Sequence, residues 1–267
     1  AHHYRESADR EKAITYLMRN GDRLAREYSP EAALQNYLRA IDLMRNAPQP
    51  DNRSILAAYQ RVGELALAAG RADLGFEKMR LAADLAEELG DRRALVMAVT
   101  LIGRLATKAN RFGEAQRHLT RALELSEGLT DQTLRRDILG SMGQTLARNA
   151  EHVQAEQYLS EAIDLAMATG DEVTEATLCL AIGHAQAARG ARDLALHSLG
   201  RAEKIIQARG DMFALAELHK DAGLIHFMLR DYDAAVEATE VALEIAKSYD
   251  FPYVRAVCAH NIGDVQV

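Results

Sequence analysis

Residues 102–129, IGRLATKANRFGEAQRHLTRALELSEGL, decide the fold. Gly103 is followed twelve residues later by Ala115 and seven residues after that by Ala122, and the rest of the chain repeats the spacing. Glycines stand 40 residues apart at Gly63, Gly103, Gly143, Gly183, Gly223 and Gly263, with Gly21 in the same row 42 residues before Gly63. Ala115, Ala155, Ala195 and Ala235 form a second row, in which the preceding repeat carries Gly75. Ala82, Ala122, Ala162, Ala202 and Ala242 form a third. A fixed period between 20 and 50 residues marks a stacked array rather than a single core.

Each row has a physical reason. Glycine inside a helix costs roughly 0.5–1 kcal/mol relative to alanine, so a row of helical glycines makes sense only where a neighbouring helix leaves no room for a Cβ. The alanine rows read likewise, as small residues where the second helix of a hairpin (B) meets the first (A). Near the end of the period a Gly-Asp pair recurs at Gly90-Asp91, Gly170-Asp171 and Gly210-Asp211, replaced by Thr130-Asp131 and by Asp250 elsewhere. Glycine stops helix B in a left-handed C-cap, and aspartate caps the next helix A.

The pattern resembles the tetratricopeptide (TPR) repeat. With Gly103 as the family's glycine, its later small positions fall on Ala115 and Ala122, and its large apolar position on Leu119, Leu159 and Leu199. The resemblance implies an all-α, right-handed superhelical solenoid of antiparallel helix pairs, with A helices on the concave face. The departures are a period of 40 residues, which means longer helices, and an aromatic near the start of helix A matched only by Tyr59, where Val99, Leu139, Cys179 and His219 stand in other repeats. The family's proline after helix B is absent.

The array is expected to run over 1–267 as one domain. Residues 1–50 would hold N-terminal helices and a first hairpin, followed by repeats at 51–90, 91–130, 131–170, 171–210 and 211–250 and an unpaired last helix at 251–267. Ala1 to Ser7 reads as the tail of an earlier helix and Arg10 to Tyr28 as one long helix. Ser29-Pro30 reads as an N-cap followed by a first-turn proline, and Asn46 to Asn52 as a longer loop that keeps the repeat phase. The predicted A helices cover about 51–69, 91–109, 131–149, 171–189, 211–229 and 251–267, and the B helices about 72–89, 112–128, 152–169, 192–209 and 232–248. Each would be about 25 Å long at 1.5 Å per residue. The opening lacks Met, and 251–267 is too apolar for a solvating cap, so the chain reads as a piece of a longer polypeptide.

Composition narrows the function classes. The 267 residues are 48% hydrophobic and 27% charged, with no Trp and a net charge of -7, so direct nucleic-acid binding is not expected. No apolar run approaches the roughly 18 residues of a membrane span, and no secretory signal is present. Cys179 and Cys258 read as small core residues of a reducing, cytoplasmic setting. There is no HExxH, no close Cys/His cluster and no phosphate-binding glycine loop, so no catalytic residue, metal or cofactor is assigned. His184, His219, His226 and His260 read as packed or solvated histidines.

Family geometry points A-helix positions six and three residues before the glycine, and one, four and five after it, into the groove. These are Met97, Thr100, Arg104, Thr107 and Lys108, then Asp137, Gly140, Gln144, Ala147 and Arg148, then Thr177, Leu180, His184, Ala187 and Ala188, and finally Glu217, Lys220, Leu224, Phe227 and Met228. Arg104, Lys108 and Arg148 would form a cationic patch able to pair with a carboxylate or phosphate, or would be solvated and paired within the chain. Leu224, Phe227 and Met228 would form an apolar seat for an anchor side chain, or pack against a following repeat. Gln144, His184 and Lys220 complete the expected groove lining. The carboxylate clamp of chaperone co-factors uses Asn one residue after the glycine, and Glu64, Arg104, Gln144, His184 and Leu224 stand there instead.

Residues 1–43 are similar to the segment that follows the ATPase core in large bacterial regulators: signal-transduction (STAND) ATPases, and nucleotide cyclases or Ser/Thr kinases with an attached ATPase module. That resemblance implies a sensor or docking arm. Two readings follow. In the first, a non-enzymatic module binds a protein or peptide segment, or a small effector, in its groove. In the second, a structural arm self-associates through 251–267, burying Val254, Val257, Ile262 and Val265.

Overall fold

In the computed structural model the described backbone comprises residues 2–27 and 29–265, and the described side chains residues 9–27 and 29–262. Thirteen helices are found among these residues, and no strand. They are α1 (His2–Arg26), α2 (Pro30–Arg45), α3 (Asn52–Ala68), α4 (Ala72–Glu88), α5 (Arg92–Lys108), α6 (Phe112–Ser126), α7 (Gln132–Arg148), α8 (His152–Thr169), α9 (Glu172–Ala188), α10 (Arg192–Arg209), α11 (Met212–Met228), α12 (Tyr232–Ser248) and α13 (Pro252–Val265). From α3 onward they match the predicted A and B helices within a few residues. None is long and apolar enough to cross a membrane among the described residues.

The chain forms two compact units, Ala1–Thr130 and Asp131–Val267, divided at a predicted repeat boundary. In the first, α1 pairs with α2, α3 with α4 and α5 with α6, while α2 packs on α3, α4 on α5 and α3 on α5. In the second, α7 pairs with α8, α9 with α10 and α11 with α12, and α13 packs on both α11 and α12. There the A helices of successive hairpins touch directly: α7 meets α9, α9 meets α11 and α11 meets α13. The B helices α8, α10 and α12 make no comparable contact with one another among the described residues. Within this unit the A helices therefore form the more tightly gathered, inner row. This is the TPR arrangement.

The glycine row is explained by what a side chain would strike. A Cβ on Gly143 would lie 2.6 Å from Leu159 Cγ and 3.1 Å from the Ala155 carbonyl oxygen, and one on Gly103 would lie 2.7 Å from Leu119 Cγ. Gly63 and Gly21 face Met79 and Tyr37 in the same way. At these four positions the glycine receives the large residue sixteen places on, and the A and B helices of a hairpin close on that knob and hole; Gly223 meets Thr239 instead, and Gly183 meets Ile225 of α11. Ala82, Ala115, Ala122, Ala155, Ala162, Ala195, Ala202 and Ala242 are completely buried around these contacts. Gly263 lies in α13, but what surrounds it is outside the described residues.

The helix starts divide into two kinds. Asp51, Asp91, Asp131, Asp171 and Asp211 cap the A helices, each accepting a backbone N–H from the first turn: Ala94 N to Asp91 at 2.9 Å, Leu134 N to Asp131 at 3.0 Å, Thr174 N to Asp171 at 3.1 Å. The B helices from α4 to α12 have no side-chain cap hydrogen bond. They begin instead directly after a left-handed residue, in a row at Gly70, Asn110, Ala150, Gly190 and Arg230. Gly90, Gly170 and Gly210 are left-handed at the B-to-A turns, as the Gly-Asp reading requires.

Four expectations are corrected. Residues 2–26 form one uninterrupted helix, so there is no separate earlier tail. Ser29 occupies the N-cap of α2 without a side-chain cap bond, and its hydroxyl turns back to the Glu27 carbonyl. Asp250, at φ 53°, takes the left-handed place that glycine holds in other repeats and does not cap. Finally, α13 is not a bare face. Val254 and Cys258 are fully buried with Ala216, Ala242 and Ala246, and Phe251 meets Phe213 edge-to-face at 5.1 Å. Val254 is thus covered within the chain, Val257 and Ile262 are partly buried, and the side chain of Val265 lies outside the described residues.

Candidate functional site

In the second unit the inner row of A helices borders an open pocket of about 460 Å³. Its walls are Gln144, Ala147 and Arg148 on α7, His152 at the start of α8, Thr177, Leu180, Ala181, His184, Ala185 and Ala188 on α9, and Asp221, Leu224 and Met228 on α11. The volume falls within the range of about 300–1,000 Å³ typical of small-ligand sites.

The sequence explains its shape. On α9 the residues facing it fall at 177, 180/181, 184/185 and 188, one helical face at alternating three- and four-residue steps. Three of them are alanines, whose short side chains leave space between α7 and α11. Leu224 and Met228 on one side are 41% and 40% exposed, large apolar residues open to solvent. Opposite them stand Gln144 and Arg148. The residues directly after the glycines thus run Gln144, His184, Leu224 along the pocket, and those four further on run Arg148, Ala188, Met228. Both rows pass from polar to apolar.

Its polar groups are few. The imidazole Nδ1 of His152 is buried without a hydrogen-bond partner in the chain. Neither the Gln144 amide nor the His184 ring makes a hydrogen bond among the described residues. Burial lowers the His184 pKa from its ordinary value of 6.5; Asp221 opposes this and Lys220 adds to it. The ring is therefore neutral near pH 7. Asp221 is accompanied by Lys220, whose Nζ lies 3.4 Å from it and donates to Glu217 at 2.6 Å. Thr177 donates its hydroxyl back to the Val173 carbonyl at 3.0 Å.

Among the expected groove residues the structure brings together Gln144, Ala147 and Arg148, Thr177, Leu180, His184 and Ala188, and Leu224 and Met228. Lys220 is instead occupied by Glu217 and Asp221, and Phe227 leans edge-on against Tyr232 at 5.7 Å, away from the pocket. Arg104 and Lys108 are exposed on α5 in the other unit. Thr100, Thr107, Gly140 and Ala187 are buried rather than groove-lining, the two threonines bonded back to their own helix.

Four pocket residues lie off the expected positions: His152, Ala181, Ala185 and Asp221. Ala181 and Asp221 sit two residues before the glycine, a row that continues the same helical face. His152 belongs to a B helix and carried no periodic signal. His219 and His226 line a separate recess of about 230 Å³ between α10, α11 and α12. No group of three or more His, Cys, Asp or Glu that could hold a metal occurs among the described residues.

No family model and no curated protein matches the chain by sequence. Solved structures share its fold. A Rap protein complexed with competence and sporulation factor superposes with a TM-score of 0.74 at 14% identity, over 95% of this chain and 75% of its own. The Rap conjugation gene regulator of plasmid pLS20, in complex with the Phr* peptide, gives 0.74 at 12%, over 98% and 77%. A STAND ATPase with a tetratricopeptide repeat sensor from Pyrococcus horikoshii gives 0.66 at 13%, over 96% of this chain and 39% of that one.

Proposed function

We propose that the chain is a non-enzymatic binding module that holds an extended protein or peptide segment against the inner A helices of its second unit, with an anchor side chain seated in the α7–α9–α11 pocket. One observation carries the reading. An apolar pocket in which Gln144 and His184 make no hydrogen bond among the described residues opens on the row of helices that a TPR array offers to ligands, and nine residues expected there from the repeat register line it. A preformed site of this kind lowers the ordering cost of binding.

The solved Rap structure containing the Phr* peptide supports the peptide class, and the STAND protein supports a sensor role within a larger signalling or transcription-regulatory protein, in a bacterial cytoplasm. The test is selection from a displayed library of random dodecapeptides, comparing wild type with Ala188→Trp, which fills the pocket from an exposed position. Binders that the tryptophan abolishes support the reading. Binders indifferent to it, or none, refute it.

A further inference from the structure

We propose that the pocket is selective for tyrosine: the ring of a tyrosine in the bound segment would lie against Leu180, Leu224 and Met228, and its hydroxyl would be shared between Gln144 and His184. This rests on the binding reading above and specifies what the anchor must be.

The walls demand an apolar body. Leu180, Leu224, Met228 and the alanines of α9 leave a space larger than a short aliphatic side chain fills. The polar groups demand more than that. An anchor without a polar tip would bury the Gln144 amide and the His184 imidazole with their hydrogen-bonding capacity unused, and each such group costs the full desolvation penalty. The tip must accept, because the Gln144 NH2 and an imidazole N–H donate. It must also donate, because a neutral imidazole presents one acceptor nitrogen and the glutamine its carbonyl oxygen.

Charge favours neither sign of tip. A carboxylate would meet Asp221 and an ammonium would meet Arg148, both on the pocket wall. A neutral group that both donates and accepts is what remains. A phenol supplies it at the end of a flat apolar ring, whereas serine and threonine have the hydroxyl without the body, and an indole N–H donates only.

The sequences recovered from the dodecapeptide selection test this separately from the binding reading. Two pocket variants at exposed positions, Ala188→Trp and Met228→Glu, define pocket dependence even if one of them folds poorly. The expected result is a tyrosine enriched in pocket-dependent binders, whose replacement by phenylalanine weakens binding about tenfold. That Tyr-over-Phe preference should shrink in Gln144→Leu and His184→Leu, while the phenylalanine peptide keeps its affinity. Pocket-dependent binders anchored by leucine or phenylalanine, or indifferent to the Tyr-to-Phe change, would overturn the tyrosine proposal and leave the binding module standing. The absence of any pocket-dependent binder would overturn both.

Discussion

Arg136 donates from Nη1 to Asp171 Oδ2 at 2.7 Å, and that same carboxylate accepts the Thr174 N–H at the start of α9. One helix of the inner row thus holds the cap of the next. The arginine side chain is 6% exposed and also donates to Asp137 at 2.7 Å, so its charge is balanced on both sides. The Thr174 backbone N–H, then its hydroxyl and Arg136, hold the Asp171 carboxyl below the usual carboxylate range.

Removing Asp171 should therefore cost more than a cap. Asp171→Ala loses about 1 kcal/mol of capping and also strips a buried arginine of one of its two partners, for a total of about 2–3 kcal/mol. Asp171→Asn can still accept the Thr174 N–H and should lose about half as much. Urea midpoints of the two variants measure the difference.

The glycines divide by surroundings rather than by residue type. Gly143→Ala should destabilise by about 1–3 kcal/mol through overpacking, because its Cβ would press on Leu159 and the Ala155 carbonyl. Gly200→Ala, in α10 with nothing near the new Cβ, should stabilise by about 0.5–1 kcal/mol from helix propensity alone. Thermal melts of the two variants should shift in opposite directions.

Ala150 and Arg230 hold left-handed backbone, at φ 62°, where Gly70 and Gly190 stand in other repeats. A Cβ there costs roughly 1–2 kcal/mol, part of which glycine returns as unfolded-state entropy. Ala150→Gly should raise stability by about 0.5–1 kcal/mol, read as a higher melting midpoint, even though glycine removes a side chain.

Acid should weaken the second unit through His184. Its folded pKa is lowered by burial, so below 6.5 the unfolded chain binds a proton that the folded chain resists. Stability is complete above that pH and falls as pH drops from 6.5 toward the folded value. His219, also lowered by burial, acts in the same direction. Between about pH 7.5 and 5.5 the wild type should lose more of its melting midpoint than His184→Gln, with Asp221 and Lys220 unchanged in both.

The hairpins were legible in the sequence because close approach leaves a mark. Gly143 and Leu159 sit sixteen residues apart in a fixed register, and Asp91, Asp131, Asp171 and Asp211 repeat every 40 residues. The left-handed row at the A-to-B turns was not legible, since Asn110, Ala150 and Arg230 disguise a position that glycine would have announced. The pocket was half legible. Gln144, His184 and Leu224 follow from register, but Ala181, Ala185 and Ala188 read in sequence like the alanines that fill helix contacts. Only their placement shows that these alanines line the pocket and that His152 joins it from α8. Lys220 looked available until Glu217 and Asp221 were seen beside it.

The central claim is that a bound segment lies on the inner helices of the second unit. Amide hydrogen exchange with and without a selected peptide tests it most directly. The account predicts added protection in α7, α9 and α11, centred on Gln144, His184 and Leu224, with α8, α10 and α12 unchanged beyond the His152 end of α8. Protection confined to α10 and α12, or to the first unit, would contradict it.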